Sequence, residues 1–121
     1  MTRVKRSLSA RKKRRATLQQ TKGYRGEAHS NYKRAKEALM KADAYAYRDR
    51  RNRKRDFRRL WITRINAAAK ANGMSYSQFM HGLSLAGVEL DRKVLADIAV
   101  RDAEAFRRFA EAAREASAAR A

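Results

Sequence analysis

The 121-residue sequence has no cysteine, no proline and only five glycines. Without cysteine there is no disulfide and no thiolate-held metal, which fits a reducing compartment. Without proline, nothing in the covalent chain interrupts a long helix. No apolar run approaches the roughly 18 residues of a membrane span. Acidic residues are scarce in one part only: residues 1–70 carry 24 Lys or Arg against five Asp or Glu, whereas residues 71–121 carry seven of each. The net charge of +19 therefore belongs entirely to the first 70 residues. That part cannot neutralise itself and points to an external polyanion.

Catalytic groupings are also missing. His29 and His81 are the only histidines and sit in different parts of the chain. There is no nucleophile-elbow motif, and GYRG (Gly23–Gly26) lacks the rest of a phosphate-cradling loop. The expectation is a protein that is not an enzyme and has no cofactor, no metal and no small-molecule substrate. The start, MTRVKRSLSARKKRR, is basic without an apolar stretch behind it, so it is not a secretory signal. It shares Arg, Ser and the lack of acids with organelle transit peptides. Its basic character continues far into the chain, however, which favours a bacterial over an organellar source.

What is present reads as all-α, in three segments. Residues 1–26 form a basic extension: a mobile start, a short helix over residues 10–22 with Ser9 as its cap, then a turn at Gly23–Gly26. Residues 27–72 are 46 positions free of Gly and Pro and rich in Ala, Lys, Arg and Glu. They read as one long helix with room for a kink. Its first part carries a narrow apolar stripe (Tyr32, Ala35, Leu39, Ala42, Ala46), and its end a better one (Leu60, Trp61, Ile65, Ala68). Gly73 stops it. Residues 73–121 read as a small three-helix domain. Ser75 and Gln78 form a capping box, with Met74 and Phe79 placed as a hydrophobic staple; Gly87 ends that helix. Asp91 caps the next helix, which turns Val94, Leu95, Ile98 and Ala99 to its apolar side. Asp102 caps the last, with Phe106, Phe109, Ala110 and Ala113 at helical spacing. A domain of about 50 residues is marginal alone, so Trp61–Ile65 is expected to complete its core. The Ala-rich tail AREASAARA is expected to fray.

The stretch YAYRDRRNRKRDFRRLW, Tyr45 to Trp61, holds eight basic residues and two Asp among seventeen. On a wheel of about 100° per residue its cations cover roughly 240°, with Asp49 and Asp56 together in the remaining strip. Asp49 can pair with Arg53 and Asp56 with Arg59. A solvated helix face normally mixes signs, and this one does not. A membrane-surface helix needs a broad apolar face, yet Phe57 is the only large apolar residue between Arg48 and Arg59. Charge on most sides suits a helix surrounded by nucleic acid, and arginine, dominant here, binds phosphate in a bidentate way and stacks on bases. Tyr24, Tyr32, Tyr45, Tyr47 and Trp61, interleaved with charge, favour RNA over duplex DNA, although core is the stronger reading of Trp61. A DNA-compacting or regulatory protein is the main rival, and a membrane-active module a weaker one. Against DNA reading, the helices that could imitate a helix-turn-helix are neutral.

The candidate RNA contacts are Arg3, Lys5 and Arg6 at the start and Arg11, Lys12, Lys13, Arg14 and Arg15 on the short helix. Lys22, Tyr24 and Arg25 lie at the turn. Lys33, Arg34, Arg48, Arg50, Arg51, Arg53, Lys54, Arg55, Arg58, Arg59 and Arg64 follow on the long helix. Arg51, Arg55 and Arg58 share one face and are expected on phosphates. Tyr76, His81 and Arg92 are candidates for a second surface. Without RNA, residues 1–59 are expected to be poorly helical, because like charges at helical spacings oppose one another.

KGYRG (Lys22–Gly26), Tyr45–Leu83 and ELDRKVLADIAV (Glu89–Val100) closely resemble the bacterial ribosomal large-subunit protein L-twenty family. KRDFRRLWITRINAAAK, Lys54 to Lys70, is the most specific piece. The resemblance runs from Arg3 to about Val100. It implies a basic extension, a long helix and a small α-helical C-terminal domain. It also implies direct binding of large-subunit (23S) ribosomal RNA early in assembly, with neighbouring large-subunit proteins as partners and the ribosome, in the cytoplasm, as the location. In some members the C-terminal domain also binds the protein's own messenger RNA and represses its translation. Glu27, Ala28 and His29 depart from the family's more basic pattern, so Glu27 stands outside the site.

Overall fold

The structure, a computed structural model, describes residues 3–121. It is all-α: α1 (Ser7–Gln20), a 3-10 turn (Gly26–His29), α2 (Tyr32–Ala71), α3 (Tyr76–Leu85), α4 (Arg92–Arg101) and α5 (Ala103–Ala119). No strand occurs among the described residues. The chain divides into two compact units, one ending at Arg51 and the other Asn52–Ala121.

In the first unit α1 starts two residues before Ser9. Arg6 holds the cap position without a side-chain bond, so Ser9 lies inside the first turn and caps nothing. The long helix also starts later than its Gly-free run suggests. Residues 26–29 wind into the 3-10 turn, and Asn31 takes over as cap, its Oδ1 accepting from the Lys33 N–H at 3.1 Å. A short amide that bonds the backbone two residues on favours helix starts over helix interiors. Among the described residues this unit buries only Thr21 and Ala35. The Thr21 hydroxyl donates to the Thr17 and Leu18 carbonyls, each at 3.3 Å. Two small buried residues make no self-sufficient core, since isolated helices draw most of their stability from packing.

The second unit has a real core: Ile65 and Ala69 of α2, Met74, Phe79 and Leu83 with α3, Leu95 and Ala96 of α4, and Phe106, Ala110 and Ala113 of α5. Trp61 packs against it half-buried. Each helix end is made by local chemistry. The α2 end closes as a Schellman motif: Met74 N–H donates to Ala69 O and Gly73 N–H to Lys70 O, both at 3.0 Å. Gly73 sits at φ +76°, which glycine reaches without a Cβ penalty. Gly87 repeats the motif after α3, with Val88 N–H on Leu83 O and Gly87 N–H on Ser84 O. Arg114 Nη2 adds a bond to the Asn72 carbonyl at 2.6 Å, a cation at a helix C-terminus. Ser75 and Gln78 complete the capping box at 3.3 and 3.0 Å. Asp91 accepts from Val94 N–H at 2.8 Å and Asp102 from Ala105 N–H at 2.9 Å.

Three local expectations are corrected. Val94 is 42% exposed and Leu60 40%. On α4 the buried pair is Leu95 and Ala96, because the helix turns that edge to α5 and leaves Val94 outside. The tail expected to fray is helical to Ala119; alanine has the smallest helix cost of any residue.

Packing between α3 and α5 is set at Gly82. A Cβ placed there would lie 2.7 Å from Ala113 Cβ and against the Ala113 backbone. The obstacle is main chain, so it cannot rotate away. Gly82→Ala should therefore destabilise the second unit by about 1–3 kcal/mol, the usual cost of overpacking. A urea denaturation midpoint equal to that of the parent would contradict this packing.

Candidate nucleic-acid interface

All 21 Lys and Arg residues proposed as RNA contacts are exposed, from Arg3 to Arg64, and Tyr24 is half-buried. Exposure alone is ordinary for these residue types; what matters is how few have a counter-charge. Arg34 lies 3.4 Å from Glu27, Arg48 3.0 Å from Asp49 and Arg59 3.9 Å from Asp56. These are solvated pairs of small energetic weight. The expected Asp49–Arg53 pair does not form, since Asp49 turns to its neighbour Arg48. Among the described residues Arg50, Arg51, Arg53, Lys54, Arg55 and Arg58 have no carboxylate partner. Repulsion between them is left for solvent ions or a ligand to relieve.

The tyrosines are used in a way their spacing allows. Tyr45 is flanked by Arg48, 4.6 Å from its ring centroid, and by Lys41 at 5.8 Å. Arg51 lies over Tyr47 at 3.9 Å. These are i,i+3 and i,i+4 pairs on one helix face. Arg14 of α1 similarly lies 5.6 Å from the Tyr32 ring. A guanidinium laid on a ring uses its face and keeps its in-plane N–H donors for a phosphate. Sequence reasoning missed Lys41, although its position four residues before Tyr45 was a readable signal. Tyr47 thus orients Arg51. Tyr47→Ala should weaken RNA binding only about two- to fivefold, an exposed cation–π contribution of about 0.5–1 kcal/mol, with the salt dependence unchanged. A loss of slope in a salt titration would mean that Tyr47 does more than orient.

At the turn, His29 Nδ1 lies 3.0 Å from the Tyr24 carbonyl oxygen. Because a carbonyl only accepts, this bond requires a proton on Nδ1. It ties the GYRG turn to the 3-10 segment and leaves Arg25 outward. Among the described residues no cluster of three His, Asp or Glu side chains could hold a metal, and no helix is long and apolar enough to cross a membrane.

The second candidate surface is rearranged. Arg92 Nε donates to the Tyr76 hydroxyl at 2.8 Å, and both side chains are half-buried. They brace α4 against α3 and do not stand as free contacts; His81 remains exposed. Two further groups, which sequence reasoning did not place in a site, come together in this unit. Phe57 and Trp61 have ring centroids 6.2 Å apart, and Lys93 of α4 joins Arg53 and Lys54 around them. The i,i+4 spacing of the rings was legible. Lys93, 39 positions after Lys54 in the chain, carried no local signal.

Comparison with known proteins agrees with this arrangement of an exposed basic helix and a neutral helical unit. Residues 3–109 match the family described as Ribosomal protein L20. A relative from Roseiflexus sp. (strain RS-1), "Large ribosomal subunit protein bL20", is 63% identical over 116 residues, covering 96% of this chain and 99% of the relative. Proteins of the same name from Rubrobacter xylanophilus and Lactococcus lactis subsp. cremoris are 59% and 57% identical, covering 96% and 98% of this chain and 87% and 99% of their own lengths. The chain belongs to the ribosomal protein L20 family.

Proposed function

We propose that this chain is a structural constituent of the large ribosomal subunit, acting without catalysis by binding 23S ribosomal RNA directly and holding it during assembly. The observation that carries the reading is the run of exposed cations on α2 without carboxylate partners, continued by the basic extension. Such a surface releases condensed counterions when it meets phosphates, which drives binding and makes it salt-dependent. RNA strands that would repel one another can then approach on opposite sides of the helix. Neighbouring large-subunit proteins are the other partners of the proposal, and the ribosome of a bacterial cytoplasm is its place. Repression of its own message, implied for some members, would use the same chemistry through the C-terminal helices.

The test is competition at about 0.2 M salt, where much non-specific binding is suppressed, among a folded large-subunit rRNA domain, an unrelated structured RNA and duplex DNA. Clear preference for the rRNA domain is expected. Equal binding to all three, lost together as salt rises, would instead mark a non-specific polyanion binder and restore the DNA-compaction reading.

A further inference from the structure

Phosphate binding alone leaves one surface of the second unit unused. Phe57 is 47% exposed and, with Trp61, lines a groove of about 340 Å³ bordered by Arg53, Lys54 and Lys93. That volume is at the small end of ligand clefts, which run from about 300 to 1,000 Å³. The two rings are inclined by 48°, so one flat group can lie on either ring but no extended stack can form between them. Exposed aromatic surface costs free energy in water, and here it is surrounded by cations without an acid in the groove. An adjoining cleft that shares Trp61 holds Asp91 and Asp97. A polyanion is therefore directed to the Phe57 side.

We propose that this groove is a stacking site for one unpaired RNA nucleotide, its base against Phe57 or Trp61 and its flanking phosphates on Arg53, Lys54 and Lys93. This site rests on the RNA-binding reading and adds to it a group that reads a base face. Aromatic rings framed by cations are the standard chemistry for holding single strands. A duplex cannot use the site, because its base faces are already stacked. A protein partner fits less well, since the centres of protein interfaces are depleted in lysine, and two of the three cations here are lysines.

Trp61 is the only tryptophan in the chain, so its fluorescence reports the groove directly. The full-length protein is titrated with three labelled RNAs: a short oligoadenylate, an abasic strand with the same number of phosphates, and a duplex. Anisotropy of the label measures binding anywhere on the protein. Quenching of Trp61 measures stacking. At equal saturation the oligoadenylate should quench severalfold more than the other two. Phe57→Ala and Lys93→Gln should each shift the quenching midpoint about tenfold, in the range of one base stack removed. Phe57 and Lys93 lie outside the buried core, and unchanged melting of each variant verifies its fold. Equal quenching by the abasic strand would overturn the proposal, as would binding without any quenching. Either result would leave RNA binding intact and turn the groove over to a protein neighbour. Absence of binding by every RNA would overturn both this proposal and the reading beneath it.

Discussion

Replacing Arg51, Arg55 and Arg58 together by Glu is expected to abolish specific RNA binding at moderate salt. The three lie at spacings of four and three along α2, a spacing that places side chains on one helix face. All are exposed, and among the described residues none has a carboxylate partner. Each phosphate that the protein no longer neutralises takes about 0.9 from the slope of log affinity against log salt on a duplex, so the triple variant should give up roughly two to three in slope. With about 1.4 kcal/mol for each of the three phosphates, affinity falls on the order of a thousandfold, before the new repulsion of three carboxylates is added. Because the positions are exposed and outside the core, folding should persist. The new acids lie at helical spacings from remaining cations and relieve repulsion, so helical circular dichroism should hold or rise. Unchanged affinity near 0.2 M salt would show that phosphates are held on another face.

Phe106→Ala should unfold the second unit under conditions where the parent is stable. Phe106 is 1% exposed and stacks on the fully buried Phe79, with centroids 4.8 Å apart and planes inclined by 23°. Truncating a buried phenylalanine costs about 3–5 kcal/mol through reduced burial and the cavity left behind. A unit of this size has a total stability of only about 4–10 kcal/mol, so one substitution removes a large fraction. Phe106→Leu keeps an apolar side chain in the site and should cost clearly less. Urea denaturation followed at 222 nm decides the matter. A midpoint for Phe106→Ala within error of the parent would mean that the aromatic pair is not the centre of the core.

Much of the molecule was legible in one dimension because the forces involved act within a turn or two of chain. Helix ends at Gly73 and Gly87, caps at Ser75, Asp91 and Asp102, and the apolar rhythm of Phe106, Ala110 and Ala113 all depend on residues at most five positions apart. Segregation of charge into the first 70 residues is a property of the sequence itself, and no folding changes it. The local misreadings also have local causes. Ser9 was a good cap type at a position the helix had already passed, and Asn31, a better cap than the residues after Gly26, moved the start of α2 to Tyr32.

Tertiary structure alone decided the rest. The Gly82–Ala113 contact, the Arg92–Tyr76 brace, the Arg114 bond to a carbonyl 42 residues away and the placing of Lys93 beside Phe57 link positions with no common periodicity. Each depends on how α3, α4 and α5 dock. That geometry follows from summed burial and close packing over the whole core, which no window of the sequence contains.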